Sequence, residues 1–260
     1  MRDFKNRLRI VVMWVAFLMA NAALAESVLT VLADEWYPIN AKPNSAQEGF
    51  GIDFMREIFE KKHQIKIDYQ LTPWERSLQR VEKGAADCVV GAYREDAPTF
   101  VFPKEPLIED RLALFALKEK EINFTGLESL LTLQVGLVSG YSYGDLDPLI
   151  EKNKQVKFLQ YAVGDTPLQT NIKKLHAKRI DVLIENNIVM LAALKQQQMT
   201  DQIKRVSFVG DKMPIYLACS PQKESSKKYV QLWDEGIKAL RASGEATAIL
   251  ARYGIFPSDN

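Results

Sequence analysis

The sequence is poor in the side chains that bind metals and staple small secreted domains: 260 residues contain two cysteines and two histidines. Cys88 and Cys219 cannot make the dense disulfide scaffold that small extracellular domains need. Each sits in a short apolar run, Ala86-Asp87-Cys88-Val89-Val90 and Tyr216-Leu217-Ala218-Cys219, so two separately buried thiols are the expected arrangement. A disulfide would need Cβ atoms within bonding reach, which spacing alone does not establish. His63 and His176 stand far apart in Lys-rich helical settings without an HExxH or Cys-x-x-Cys partner, so solvated surface histidines are expected, with no metal or other cofactor. Nucleophile elbows of the Gly-x-Ser-x-Gly type and GxxxxGK phosphate loops are missing, and Gly49-Phe50-Gly51 has no third glycine at dinucleotide spacing. No tandem repeat, low-complexity tract or proline-rich linker interrupts the chain.

Charge of one sign is scarce too. Of 34 basic and 33 acidic side chains, four basic and one acidic fall in the first 25 residues, so the remainder carries a net charge of about −2. A near-neutral chain without a basic patch offers no field to attract nucleic acid. The apolar run Ile10 to Ala20 is 11 residues, short of the roughly 20 that span a bilayer. It follows Arg2, Lys5, Arg7 and Arg9 and precedes Ala23-Leu24-Ala25, small side chains at the positions a signal peptidase reads. Residues 1–25 are therefore expected to be a secretory signal peptide cut after Ala25, releasing a soluble periplasmic protein without a lipid anchor.

With 47% hydrophobic and 26% charged residues, the rest can bury a proper core. Apolar runs alternate with helical periods almost from end to end. Strands are expected at Val28 to Ala33, Ile65 to Gln70, Asp87 to Ala92, Leu112 to Leu117, Leu133 to Val138, Val156 to Tyr161, Asp181 to Ile184, Val206 to Val209 and Ile215 to Cys219. Helices are expected around Phe50 to Phe59, Thr170 to Lys178 and Asn187 to Gln197, then from Ser225 to Ser243 and, past Gly244, through Tyr253. This alternation argues an α/β fold with substantially parallel sheet. Asp110 to Lys118 and Pro214 to Ser220, extended and apolar, are candidate crossings between two domains.

In such sheets the ligand crevice lies just beyond the carboxyl ends of strands. Trp36-Tyr37-Pro38 ends the first strand, Trp74-Glu75-Arg76 begins a helix, and Gly91-Ala92-Tyr93-Arg94 follows the Cys88 strand. Trp36, Trp74 and Tyr93 can supply broad apolar contact, and Arg76 or Arg94 a five-donor fork for an anionic group; packing of the tryptophans under loops is the competing role. In the second half, Gly140-Tyr141-Ser142-Tyr143-Gly144 leads from a strand into a helix, where backbone N–H groups could hold an anion or Ser142 could simply cap. Glu185, Asn186 and Asn187 arrive at another strand end, placed to meet an amine or hydroxyl. The neighbouring acidic pairs Glu109/Asp110 and Asp145/Asp147 are expected to be solvated loop or helix-start charges rather than a catalytic pair.

The ordered series Gly49-Phe50-Gly51-Ile52-Asp53, Trp74-Glu75-Arg76-Ser77-Leu78, Gly84-Ala85-Ala86-Asp87, Phe102-Pro103-Lys104-Glu105-Pro106-Leu107, Val135 to Gly140 and Leu175 to Leu183, closing on Ala248 to Gly254, resembles the extracellular solute-binding proteins of family 3. The resemblance implies a two-lobed, type II periplasmic binding protein fold, each lobe a mainly parallel sheet flanked by helices, joined by two hinge strands. Residues 26–110 and 215–260 would form one lobe and 111–214 the other. It also implies a monomer that captures a small polar solute, an amino acid or related small carboxylate, for the membrane component of an ABC importer. Two other roles on the same scaffold are a cyclohexadienyl dehydratase-like enzyme, with Glu75, Glu185 and Asp87 as acid/base candidates, and a sensor acting on a membrane receptor. The family's carboxylate-binding arginine is not matched: Ala97-Pro98 stand near its place and Arg94 is offset. Its amine-binding aspartate falls on Asn186, beside Glu185, and its Gly-Thr-Thr-like turn on Gly140-Tyr141-Ser142. A standard α-amino acid would lose a charge-assisted partner at 186.

Overall fold

Val28–Ala33 is apolar at every position but Thr30, the composition of a strand flanked on both sides, and as β1 it lies between two parallel neighbours. In the computed structural model, which describes residues 27–153 and 158–256, those neighbours are β2 (Lys66–Leu71) and β3 (Cys88–Ala92). The expected signal peptide and part of the expected Val156 to Tyr161 strand lie outside the described residues. A second parallel block is made by β5 (Val135–Val138), β6 (Leu159–Ala162) and β7 (Val182–Asn186), with β5 central.

Two long strands connect the blocks. β4 (Ile108–Leu117) pairs antiparallel with β7, and β8 (Ile203–Cys219) runs antiparallel to β4 and then to β3, giving the order β2-β1-β3-β8-β4-β7-β5-β6. The two short segments expected at Val206 to Val209 and Ile215 to Cys219 are therefore one strand. Gly210, at φ +69°, Asp211 and Lys212 are pushed out opposite Arg111, since Asp110 pairs with Met213 and Leu112 with Val209. That is a bulge, which bends a strand without ending it.

The expectation of separate thiols is corrected by the same pairing. Cys88 and Cys219 lie directly opposite each other in the β3/β8 ladder, and their sulfurs form a disulfide 2.03 Å long across 131 residues of sequence. Both apolar runs end in one buried layer, which spacing in sequence could not show.

Helix α1 (Phe50–Met55) continues as a π-helical turn over Arg56–Lys62 and buries Phe50, Phe54, Ile58 and Phe59. Its outer side meets the long helix α6 (Ser225–Ser243), whose buried stripe includes Tyr229, Trp233, Ile237 and Leu240. Gly236 permits the approach: a Cβ there would lie 2.6 Å from Ile58. Helix α7 (Glu245–Arg252) then brings Tyr253 against Phe50, ring centroids 6.2 Å apart. The C-terminal pair thus closes over the α1 side of the sheet, which accounts for its apolar stripe. The remaining helices are α2 (Trp74–Glu82), α3 (Asp147–Lys152), α4 (Pro167–His176) and α5 (Asn187–Gln196). No helix among the described residues is long and apolar enough to cross a membrane.

Candidate functional site

Four strand ends converge. Asp34 and Trp36 follow β1, Gly91 and Tyr93 sit at the end of β3, Tyr141 and Ser142 follow β5, and Glu185 and Asn186 end β7. Between them lies a cavity of about 10 Å³, room for about one water molecule, lined by Asp34, Trp36, Trp74, Tyr93, Asp96 and Tyr141 with Gly91 in its wall. Gly91 is required there. Its φ of +92° disfavours any side chain, and a Cβ would stand 3.1 Å from Asn40 Oδ1 and 3.4 Å from the Trp36 ring. Trp74 reaches the cavity because α2 starts right behind Pro73, which sets the chain direction, and buries Trp74, Ser77 and Val81 on one stripe.

The two halves of the sheet are clasped across this cavity. Trp36 Nε1 donates to Glu185 Oε1 at 3.0 Å, Asn186 Nδ2 to the Tyr93 hydroxyl at 3.3 Å, and the Ser142 N–H to Asp96 Oδ1 at 2.7 Å. The Tyr141 hydroxyl donates to Asp34 Oδ2, and at the rim Ser139 Oγ donates to Glu75 Oε1 at 2.8 Å. Gly140 completes the close approach, since a Cβ would lie 2.4 Å from the Glu75 side chain. Trp36 meets Tyr93 and Tyr141 edge-to-face, both at 6.1 Å, and Trp74 meets Tyr141 at 6.3 Å. Such T-shaped arrangements are favourable for aromatic quadrupoles.

Electrostatically the cavity is acidic. Burial pushes Asp34 up to about 6 against the hydrogen bond from Tyr141. Burial likewise raises Asp96 to about 7, against the Ser142 and Tyr93 N–H groups, and Glu185 to about 7, against the Asn186 N–H and Trp36. Asp96 keeps some residue exposure, but its carboxylate is enclosed. Desolvation disfavours a charged carboxylate and so raises its pKa. Among the described residues no Lys, Arg or His lines the cavity.

Of the residues singled out by sequence, Trp36, Trp74, Tyr93 and Tyr141 line the cavity, and Ser142, Glu185 and Asn186 bond across or beside it. The arginines lie elsewhere. Arg76 is exposed on α2. Arg94 donates to the Pro103 carbonyl at 3.0 Å and stacks between Phe102 and Tyr216, 4.9 and 4.5 Å from their ring centres. The turn after β5 is also committed: Asp96 takes the Ser142 N–H, Asp147 Oδ1 takes the Tyr143 N–H at 2.7 Å, and Ser142 Oγ donates to Asp147 Oδ2 at 2.6 Å. Asp34 and Asp96 were not legible in the sequence because an acid in a loop reads as solvated; their one signal was position within four residues of a strand end followed by an aromatic residue.

The acid/base candidates do not converge. Asp87, at the far end of β3, holds Lys223 at 2.7 Å and the Thr30 N–H at 2.8 Å, while Glu75 is exposed at the rim. Asp110 accepts the Ile188 N–H at 2.8 Å, and His63 and His176 are exposed. Among the described residues no group of three His, Cys, Asp or Glu is placed to hold a metal ion.

Comparison with known proteins gives the fold. Residues 29–97 match the family model of bacterial extracellular solute-binding proteins, family 3. Among solved structures, an ancestral arginine-binding protein bound to arginine is similar at a TM-score of 0.72 and 20% identity, covering 87% of this chain and 98% of that one. An ABC uptake transporter substrate-binding protein from Streptococcus pneumoniae with bound histidine gives 0.73 and 17%, over 87% and 92% of the two chains. A histidine kinase sensor domain with similarity to periplasmic binding proteins gives 0.72 and 18%, over 87% and 95%. Curated protein sequences gave no match. The fold is the α/β periplasmic-binding-protein fold, a mixed sheet flanked by helices, characteristic of periplasmic and extracellular binding proteins.

Proposed function

We propose that this chain is a non-enzymatic periplasmic solute-binding protein, released after Ala25, that closes two lobes on a small polar solute and presents it, as a monomer, to the membrane component of an ABC importer. Residues 26–110 with 215–260 form one lobe and 111–214 the other, hinged at β4 and β8. The observation that carries this is the meeting of four strand ends, two from each parallel block, around one aromatic and acidic cavity clasped by hydrogen bonds across it. Ligand would act by differential affinity for the open and closed arrangements, which needs no covalent chemistry. Of the acid/base candidates for the dehydratase-like role, Glu185 alone stands beside the cavity, with Asp87 at the far end of β3 and Glu75 exposed at the rim, so the constellation that role was given is not assembled.

The test is small-angle scattering and tryptophan fluorescence on the mature protein against a panel of amino acids, small carboxylates and amines. Saturable binding with a change in radius of gyration and in Trp36 and Trp74 emission is expected for one chemical class. A panel that changes neither signal overturns the proposal.

A further inference from the structure

The clasp is built with a surplus of acceptors. Glu185 is 2% exposed and spends Oε1 on Trp36, while its Oε2 is buried without a hydrogen-bond partner. Asn40, 1% exposed, has an Oδ1 that is buried and unpartnered, 3.1 Å from where a Cβ on Gly91, in the cavity wall, would stand. A buried acceptor left unpaired costs free energy that a donor from a ligand recovers. Asp34 and Asp96 face the same cavity, no Lys, Arg or His among the described residues lines it, and Arg94 is stacked between Phe102 and Tyr216. Of the backbone donors in the turn after β5, the N–H groups of Ser142 and Tyr143 are already taken by Asp96 and Asp147. The remaining walls are the rings of Trp36, Trp74, Tyr93 and Tyr141, whose faces attract cations. Trp74 Nε1 is the one unpartnered donor there, and it calls for a single neutral acceptor. A carboxylate brought to it would enter the field of Asp34 and Asp96 with no cation to offset it.

Taking the binding-protein role proposed above as its basis, we propose that the solute is an organic cation without a carboxylate, an alkylammonium or guanidinium compound, held by Asp34, Asp96 and Glu185 between the four aromatic rings. The cavity is too small for such a molecule in the clasped arrangement, so entry exchanges the Tyr141 hydroxyl on Asp34 for the ligand's own donors as the lobes part and close again.

The decisive experiment is calorimetry at pH 8 on the mature protein with agmatine, putrescine, L-arginine and L-glutamate. Agmatine and arginine share a guanidinium and differ by the carboxylate. Agmatine or putrescine is expected to bind at least tenfold more tightly than arginine, with no saturable heat from glutamate. Asp34→Asn and Glu185→Gln, checked for native circular dichroism, should each weaken the amine at least tenfold, whereas Arg94→Gln should leave its affinity within twofold. Arginine binding as tightly as agmatine, or glutamate binding at all, overturns the cation assignment while leaving the binding-protein role intact. Silence with all four probes also overturns it, and the broader scattering panel then decides whether the binding role falls with it.

Discussion

Tyr141 is the residue on which the two halves of the cavity most directly meet. Its ring touches Trp36 and Trp74, and its hydroxyl donates to a carboxylate that is otherwise hard to keep charged. Tyr141→Phe keeps the packing and removes the donor, leaving Asp34 Oδ2 without it. The expected result is a loss of about 1–2 kcal/mol in urea-unfolding free energy at pH 8, and an Asp34 titration above its present value of about 6, followed by the carboxyl carbon resonance. An unchanged Asp34 titration would show that the hydroxyl does not stabilise the ionised form. Gly91 makes a second case: Gly91→Ala must hold a Cβ at φ +92° against Asn40 and Trp36, at an expected cost of about 1–3 kcal/mol. At this scale the aromatic half of the site was legible, because Trp36, Tyr93 and Tyr141 follow strand ends and a large ring near a strand end is visible in a string of letters. The acidic half was not. Whether Asp34 or Asp96 is solvated depends on what the other half of the sheet brings against it, and the direction of Arg94 depends in part on the ring of Tyr216, remote from it in sequence.

Among the elements, β8 carries most of what sequence did not foresee. A Gly-Asp-Lys stretch reads as a turn, yet it is a bulge within a strand that pairs with both β4 and β3. The alternation of apolar runs and helical periods located every other strand to within a few residues, because inner strands such as β1, β3 and β5 are covered on both faces and stay largely apolar, while the edge strand β2 shows the period of two. Partners are another matter, since periodicity assigns a strand a face but no neighbour. Hence the Cys88–Cys219 disulfide, which follows from β3 and β8 lying side by side, could not be read from two distant apolar runs. Its loop encloses β4 to β7 entire. Cross-linking a loop of that length restricts the unfolded chain, so Cys88→Ala with Cys219→Ala is expected to lower stability by about 2–5 kcal/mol. Urea unfolding with and without reductant should show the same shift in the wild type and none in the double variant. Coincident midpoints for the oxidised and reduced wild type would refute a stabilising bond.

For the whole molecule, the clasp makes stability depend on pH in a direction opposite to that of an ion-paired carboxylate. Asp34, Asp96 and Glu185 have folded-state values of about 6, about 7 and about 7, all raised by burial, against 3.8 for an unperturbed Asp and 4.5 for Glu. From about pH 4 to about pH 7 the folded chain therefore binds more protons than the unfolded one, and stability falls as pH rises through that window before levelling off. The charges facing these groups add to the effect: Asp34 acts on both Glu185 and Asp96, Asp147 acts on Asp96, and the partners from the opposing elements are the neutral donors Tyr141, Trp36 and the Ser142 N–H. Asp181 works the other way, its value lowered by the Gln134 N–H and Lys120 despite its partial burial, so its contribution is lost as pH falls below the ordinary Asp range. Because its value lies below that of a free aspartate, Asp181 acts below this window, whereas Asp110, raised by burial against the Ile188 and Arg111 N–H groups, works in the same direction as the three carboxylates of the clasp. Urea unfolding of the ligand-free mature protein should give a higher midpoint at pH 5 than at pH 8. Glu185→Gln, which keeps the acceptor for Trp36 and removes the buried charge, should raise the pH 8 midpoint, by about 1 kcal/mol in free energy, and reduce the slope. A wild-type midpoint that rises from pH 5 to pH 8 would mean that these carboxylates are solvated or paired in the folded protein. The same outcome would remove the unpaired negative charge on which selection of a cationic solute rests, since a group that destabilises the empty clasp at neutral pH is one that a bound cation can stabilise.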